Sequence, residues 1–99
     1  KSIYVDKLIR QYIVNITSLT RTREQISLGA SPRASLGLFR ACRSLALLKG
    51  RDYVIPDDVK SLAAPVLAHR LVLSPAARMN GISIFQVLSD LLEFIPVPA

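Results

Sequence analysis

A Ser31-Pro32 pair and a glycine at position 50 bracket one long stretch of this chain, and between them they leave room for little but a helix. The Ser31 hydroxyl suits an N-cap, accepting from a backbone N–H two or three residues on. Pro32 suits the first helical position, where its missing N–H costs nothing and its fixed φ is already helical. Gly50 suits the stop, because glycine takes the positive φ common just past a helix end. The spacing predicts a helix over 32–49 with Leu38, Cys42, Leu45 and Ala46 on its buried side. Arg33, Gly37, Arg40 and Ser44 fall within a narrow sector of the opposite face, with Arg43 on the flank.

Three further apolar stripes repeat in steps of three and four. Val5, Leu8, Ile9, Tyr12, Ile13, Ile16 and Leu19 predict a helix over 5–20. Pro56 restarts helix at its first position, with Asp57 and Asp58 in the first turn where the dipole favours carboxylates. Val59, Leu62, Ala63, Val66 and Leu67 carry that pattern to about residue 71, and Pro65, unable to donate to the Ser61 carbonyl, is expected to kink or split it. Ser83 with Gln86 reads as a capping box that opens a last stripe through Ile84, Val87, Leu88, Leu91, Leu92 and Ile95, ended by Pro96 and Pro98. Two short apolar runs, Ile26–Leu28 and Leu71–Leu73, are left to pair with each other. The expected fold is all-α: a compact four- to five-helix bundle with room for one minimal two-stranded sheet.

A chain of 99 residues allows one domain, spanning 1–99, with one modest core. Its single cysteine, Cys42, excludes an internal disulfide, and with one histidine, His69, there is no metal cluster to build. No apolar run approaches the ~18–20 residues that span a bilayer. The chain opens with charges among its first apolar residues, unlike a signal peptide, so it reads as starting mid-protein and as cytoplasmic. The hydrophobic share of 51% is rich for such a length and implies surface meant to face another domain.

The net charge of +6 is gathered between Arg10 and Arg51, where Glu24 is the only acid; beyond Asp52 acids outnumber bases. A surface of that kind faces polyanions. Arg33 is the sharpest point in it. A cation in the opening turn of a helix sits against the positive end of the dipole, and therefore invites an anion, a phosphate above all. The plainer alternative is an ordinary solvated arginine.

The segment Gly29-Ala30-Ser31-Pro32-Arg33-Ala34-Ser35, with Leu36-Gly37-Leu38-Phe39-Arg40-Ala41 after it, resembles the second-sensor element of MoxR-family AAA+ ATPases. The likeness continues through Gly50–Val59, through Val66-Leu67-Ala68-His69-Arg70-Leu71, and into Gly81-Ile82-Ser83 and the Ile95-Pro96-Val97-Pro98 tail. It implies that the chain is the C-terminal helical lid of such an ATPase. It also implies that Arg33 acts on the ATP phosphates as a catalytic sensor, with Gly29, Ser31, Pro32 and Arg40 completing the nucleotide-binding element. The implied cofactors are ATP and Mg²⁺ in the full-length parent. The implied partners are the parent's own AAA+ core domain, neighbouring subunits of a hexameric ring, and a client protein remodelled in chaperone-like fashion. The chain alone is expected to bind no cofactor and hydrolyse nothing. It has no Gly-x-x-x-x-Gly-Lys-Ser/Thr loop to wrap a triphosphate and no Asp-Glu pair to hold the metal.

The other residues that could carry chemistry have plainer readings beside the functional ones. Arg40 either faces the core domain or is solvated. Arg21 and Arg23 suit the C-terminal end of the first helix. Arg70 continues the stripe of Leu62, Val66 and Leu67, which makes it a snorkelling or carboxylate-paired structural residue; the alternative for His69-Arg70 is contact with a neighbouring subunit. Cys42 reads as a small core residue. The competing function is an independent basic, nucleic-acid-binding helical module. Against it stand the lack of a recognition helix with Asn, Gln, Ser and Arg on successive exposed turns, and the lack of an aromatic stacking face.

Overall fold

The computed structural model describes residues 2–98; Lys1 and Ala99 lie outside the described residues. In it the apolar stripes become α1 (Lys7–Thr20), α2 (Pro32–Leu48), α3 (Pro56–Leu67) and α5 (Ile84–Phe94), with a one-turn α4 (Pro75–Met79) between the last two. The all-α bundle expected from periodicity is what forms. Ile9, Tyr12, Ile13 and Ile16 of α1, Ala34, Leu38, Cys42 and Ala46 of α2, Val59 and Leu67 of α3, and Val87, Leu88 and Leu91 of α5 close a single core. Leu8 is not part of it. The seam of α1 runs through Ile9, Tyr12, Ile13 and Ile16, and Leu8, about 100° round the helix from Ile9, is left 56% exposed.

The helix starts follow their caps. Asp6 accepts from the Leu8 N–H (3.3 Å), Ser31 from Ala34 (3.3 Å), Ser74 from Ala77 (3.1 Å) and Ser83 from Phe85 (3.1 Å). Two of these serines precede a proline at the first helical position, in α2 and in α4. Gly50 ends α2 with φ 74°. The capping box at Ser83 is only half made, because Gln86 turns away to donate to Asp90 one turn on (2.8 Å).

Pro65 does not split α3. The chain stays α-helical through it to Leu67, then tightens into a 3₁₀ turn, Ala68–Arg70. The helix thus ends earlier than the expected residue 71, and Leu71 leaves it as extended backbone with its side chain buried. The small sheet consequently begins one residue later than expected. β1 (Ile26–Leu28) pairs antiparallel with β2 (Val72–Leu73), Ile26 opposite Leu73 and Leu28 opposite Val72 across a bulge. Ser27 adds side-chain hydrogen bonds to the carbonyls of Val72 (3.2 Å) and Leu73 (3.3 Å). A single parallel bridge, Tyr4 with Tyr53, ties the N-terminal segment to the α2–α3 connector. No helix is long and apolar enough to cross a membrane among the described residues.

Candidate functional site

The segment between β1 and α2 is pinned to the end of α1 rather than left as a free loop. The buried Thr20 hydroxyl accepts from the Ala30 N–H (2.9 Å), and the Arg21 guanidinium donates to the Ala30 carbonyl. Gly29 lies so close to α1 that a Cβ there would meet the Arg21 Cα at 2.7 Å. That glycine is required by the approach of two backbones. One turn into α2, Ser35 shares a short hydroxyl contact (2.6 Å) with the buried Thr17 of α1. The start of α2, and with it the point from which Arg33 projects, is therefore held by several contacts to α1 and its C-terminal end.

On the outer face of α2, Arg33, Leu36, Gly37 and Arg40 line a concavity of about 330 Å³, and Arg70 closes it from the 3₁₀ turn. The Arg70 guanidinium lies over Gly37. A Cβ at that glycine would stand 3.4 Å from Nη1 and 3.8 Å from both Cζ and Nη2. Arg33, Arg40 and Arg70 are all exposed. Among the described residues the one ion pair is Arg51 with Asp58, so none of these three has a carboxylate partner. Three guanidinium groups gathered without an anion repel one another, and each has donors to spare for one. Of the residues singled out in the sequence, Arg33 and Arg40 share this hollow. Gly29, Ser31 and Pro32 do not line it; they set the geometry of the helix start.

Arg70 is the member that sequence reasoning assigned elsewhere. It reads as a continuation of the α3 stripe only if α3 keeps its 3.6-residue period through residue 70. The tightening after Leu67 breaks that period and swings Arg70 onto α2. The signal that could have found it is Gly37, a glycine in the middle of a helix, where alanine is the more stable residue. Such a glycine marks a close approach by something else.

Of the remaining arginines, several have partners within the chain, whereas the exposed Arg78 shows none among the described residues. Arg51 makes a bidentate pair with Asp58, Nη1 to Oδ2 at 2.9 Å and Nη2 to Oδ1 at 2.7 Å, and also donates to the Tyr53 carbonyl (2.8 Å). Asp58, 1% exposed, accepts in addition from the Ile55 N–H (3.0 Å). Burial pushes the Asp58 carboxyl up, but the Arg51 hydrogen bonds, the Ile55 N–H and the nearby positive charge together hold it below the usual carboxylate range. Arg10 and Arg43 flank the Phe39 ring, each 5.7 Å from its centroid, and Arg23 lies 4.9 Å from that of Phe94. Cys42 is wholly buried, and burial together with Asp58 pushes its thiol up to about 12. It is no nucleophile. Among the described residues no group of His, Cys, Asp and Glu could hold a metal ion.

The comparisons with known proteins agree with this architecture. The family model for the AAA lid domain matches residues 18–91. The uncharacterized protein YeaC of Bacillus subtilis (strain 168) is 40% identical over 98 residues, which is 99% of this chain and 31% of YeaC. Chaperone MoxR1 of Mycobacterium tuberculosis is 42% identical over 104 residues, 96% of this chain and 28% of MoxR1. A crystal structure of a candidate ATPase from Cytophaga hutchinsonii superposes with a TM-score of 0.92 at 28% identity, covering 99% of this chain and 32% of that one. The chain spans about a third or less of the length of each of these proteins.

Proposed function

The chain belongs to the AAA lid domain family as the lid of a MoxR-type AAA+ ATPase, and from that membership we propose that residues 1–99 move as one unit over a nucleotide held by a separate core domain, with Arg33 contacting the ATP phosphates. The observation that carries the reading is Arg33 itself: exposed, without an ionic partner among the described residues, and projecting from a helix start that α1 holds in place. A guanidinium so placed can follow the terminal phosphoryl group and stabilise the charge that develops on it during transfer.

The residues present fit a polyphosphate and do not fit Mg²⁺, for which this chain offers no ligand cluster among its described residues. The metal and the backbone cradle for the triphosphate belong to the core in this reading, so the chain alone hydrolyses nothing. An apolar hollow of about 350 Å³ between α1 and α2, lined by Ile13, Val14, Leu36 and Phe39, adjoins the arginine concavity through Leu36. It supports packing of that face against the parent's core domain or a neighbouring subunit of a ring. The opening and closing of the lid would then couple hydrolysis to chaperone-like remodelling of a client in the cytoplasm.

The test is Arg33→Ala in the full-length ATPase. Turnover falls, by up to ~10³-fold for an arginine that stabilises the transferring phosphoryl group, while ATP affinity changes far less. Arg33→Lys restores part of the rate, because it keeps the charge and loses the fork. Unchanged turnover in Arg33→Ala would remove Arg33 from the reaction.

A further inference from the structure

We propose that Arg70, seated across α2 on Gly37, is a second phosphate-gripping residue, and that with Arg33 and Arg40 it forms a site for a linear polyphosphate held by more than one of its phosphoryl groups. The proposal extends the reading of Arg33 given above and rests on it only for the identity of the nucleotide as the natural ligand. Gly37 is the observation that starts it. Glycine in a helix interior is destabilising relative to alanine, and here the missing Cβ is the space over which the Arg70 guanidinium lies, Nη1 at 3.4 Å and Cζ and Nη2 at 3.8 Å from where that atom would be. A Cβ there would stand in ordinary van der Waals contact with the guanidinium, so Gly37 leaves Arg70 room against the helix without being demanded by it.

What Arg70 gains there is not a partner within the chain. No carboxylate pairs with it, nor with Arg33 or Arg40, among the described residues. The seat instead places a third positive charge between two others, an arrangement that only an anion makes favourable. Arg33 and Arg40 lie seven residues apart on one face, about 10 Å along the helix axis, and Arg70 enters over Gly37 between them. One tetrahedral phosphate does not fill that row; a chain of linked phosphoryl groups does. Leu36 gives the hollow an apolar wall on which charge–charge attraction is less screened than in open water.

Inorganic tripolyphosphate is the probe, titrated calorimetrically into the 99-residue chain at low ionic strength, beside orthophosphate. The wild type binds tripolyphosphate saturably and more tightly than orthophosphate. Arg70→Ala and Arg33→Ala each weaken that binding about 10-fold, the scale of one charge-assisted contact. Arg70→Lys recovers part of the loss. Gly37→Ala, which removes no charge and places its methyl at ordinary contact distance from Arg70, stays within about 2-fold of wild type. Arg78→Ala, on the exposed face of α4 and outside the hollow, stays within about 2-fold of wild type, as the loss of one screened distant charge should. Thermal melts of each variant separate lost binding from lost fold. If Arg70→Ala weakens binding no more than Arg78→Ala, if orthophosphate binds as well as tripolyphosphate, or if the wild type shows no saturation, the proposal is wrong. If Arg33→Ala leaves tripolyphosphate binding intact while Arg70→Ala loses it, the role given to Arg33 fails and that given to Arg70 stands.

Discussion

Two arginine arrangements at opposite ends of α2 use the same side chain for opposite ends. Past its C-terminus, Arg51 is committed inward: both of its terminal nitrogens face the carboxylate of Asp58, and one also reaches the Tyr53 carbonyl. On its N-terminal half, Arg33 and Arg40 with Arg70 across from them face outward and share no acid. The first arrangement closes the α2–α3 corner and asks nothing of any other molecule. The second gathers like charges with no acid among the described residues, and in the proposed reading an anion completes it. A bidentate pair with a buried carboxylate is read as architecture, and a cluster of unpaired guanidinium groups on rigid supports as a site.

The contrast breaks most easily at the corner. In Arg51→Ala the buried Asp58 keeps only the Ile55 N–H for a partner, and breaking a buried pair from one side is strongly destabilising. A fall in Tm on the order of 10 °C is expected for a domain of this size, measured by circular dichroism. Arg33→Ala in the same experiment leaves Tm nearly unchanged, since Ser31 and Pro32 still define the helix start. Equal losses in the two variants would erase the distinction between architecture and site.

Acid sharpens the same point. The folded-state pKa of Asp58 lies below its unfolded value, so its contribution is fully present above the ordinary carboxylate range and is lost as pH falls through the folded-state value. Melting of wild type and Asp58→Asn from pH 7 downward should show a large Tm gap at neutral pH that narrows below about pH 4. Arg33→Ala leaves the Arg51–Asp58 pair in place, so it and the wild type should keep a constant offset. A gap for Asp58→Asn that does not close in acid would mean that geometry, not charge, makes Asp58 important.

How far each arrangement can be read from sequence follows from the range of its interactions. Periodicity places Arg33, Gly37 and Arg40 on one face because they belong to one helix, and the Ser31-Pro32 pair sets where that helix begins. The same Ser-Pro grammar at Ser74-Pro75 starts α4, yet five residues carry too short a period to announce a helix. Asp57 and Asp58 look alike as first-turn acids. Only the fold separates them, burying Asp58 against Arg51 and leaving Asp57 in solvent. Arg70 is hidden for a related reason: its place depends on where α3 gives way to a tighter turn, and that balance between Pro65 and the sheet at Val72–Leu73 is settled by tertiary contacts. The bundle is thus legible in local patterns, while the partners of charged side chains are not.

Gly37→Ala should raise stability and leave binding nearly unchanged. Alanine is worth roughly 0.5–1 kcal/mol over glycine inside a helix, and the new methyl would meet the exposed Arg70 at ordinary van der Waals distance. A Tm rise of a few degrees is expected, with tripolyphosphate binding close to that of the wild type. A fall in Tm would show that Arg70 is needed where it lies for the fold itself, which would move it from the outward arrangement to the inward one.

The smallest effect is also the most direct probe of stored repulsion. Arg40 is exposed on a helix face, makes no side-chain hydrogen bond among the described residues, and shares its hollow with two other unpaired cations. Exposed substitutions ordinarily shift stability by no more than about 0.5 kcal/mol in either direction, and here two terms share a sign: alanine is the better helix former, and one like-charge contact disappears. Arg40→Ala should therefore raise Tm at low salt by up to about 2 °C. Added sodium chloride screens the repulsion that remains in the wild type over about 10 Å at 0.1 M, so the difference between the two proteins should shrink as salt increases. The Arg51–Asp58 pair, buried on its acidic side, should show no such convergence with Arg51→Ala. A gain for Arg40→Ala that is independent of salt would come from helix propensity alone and would leave the cluster without strain to be relieved by an anion.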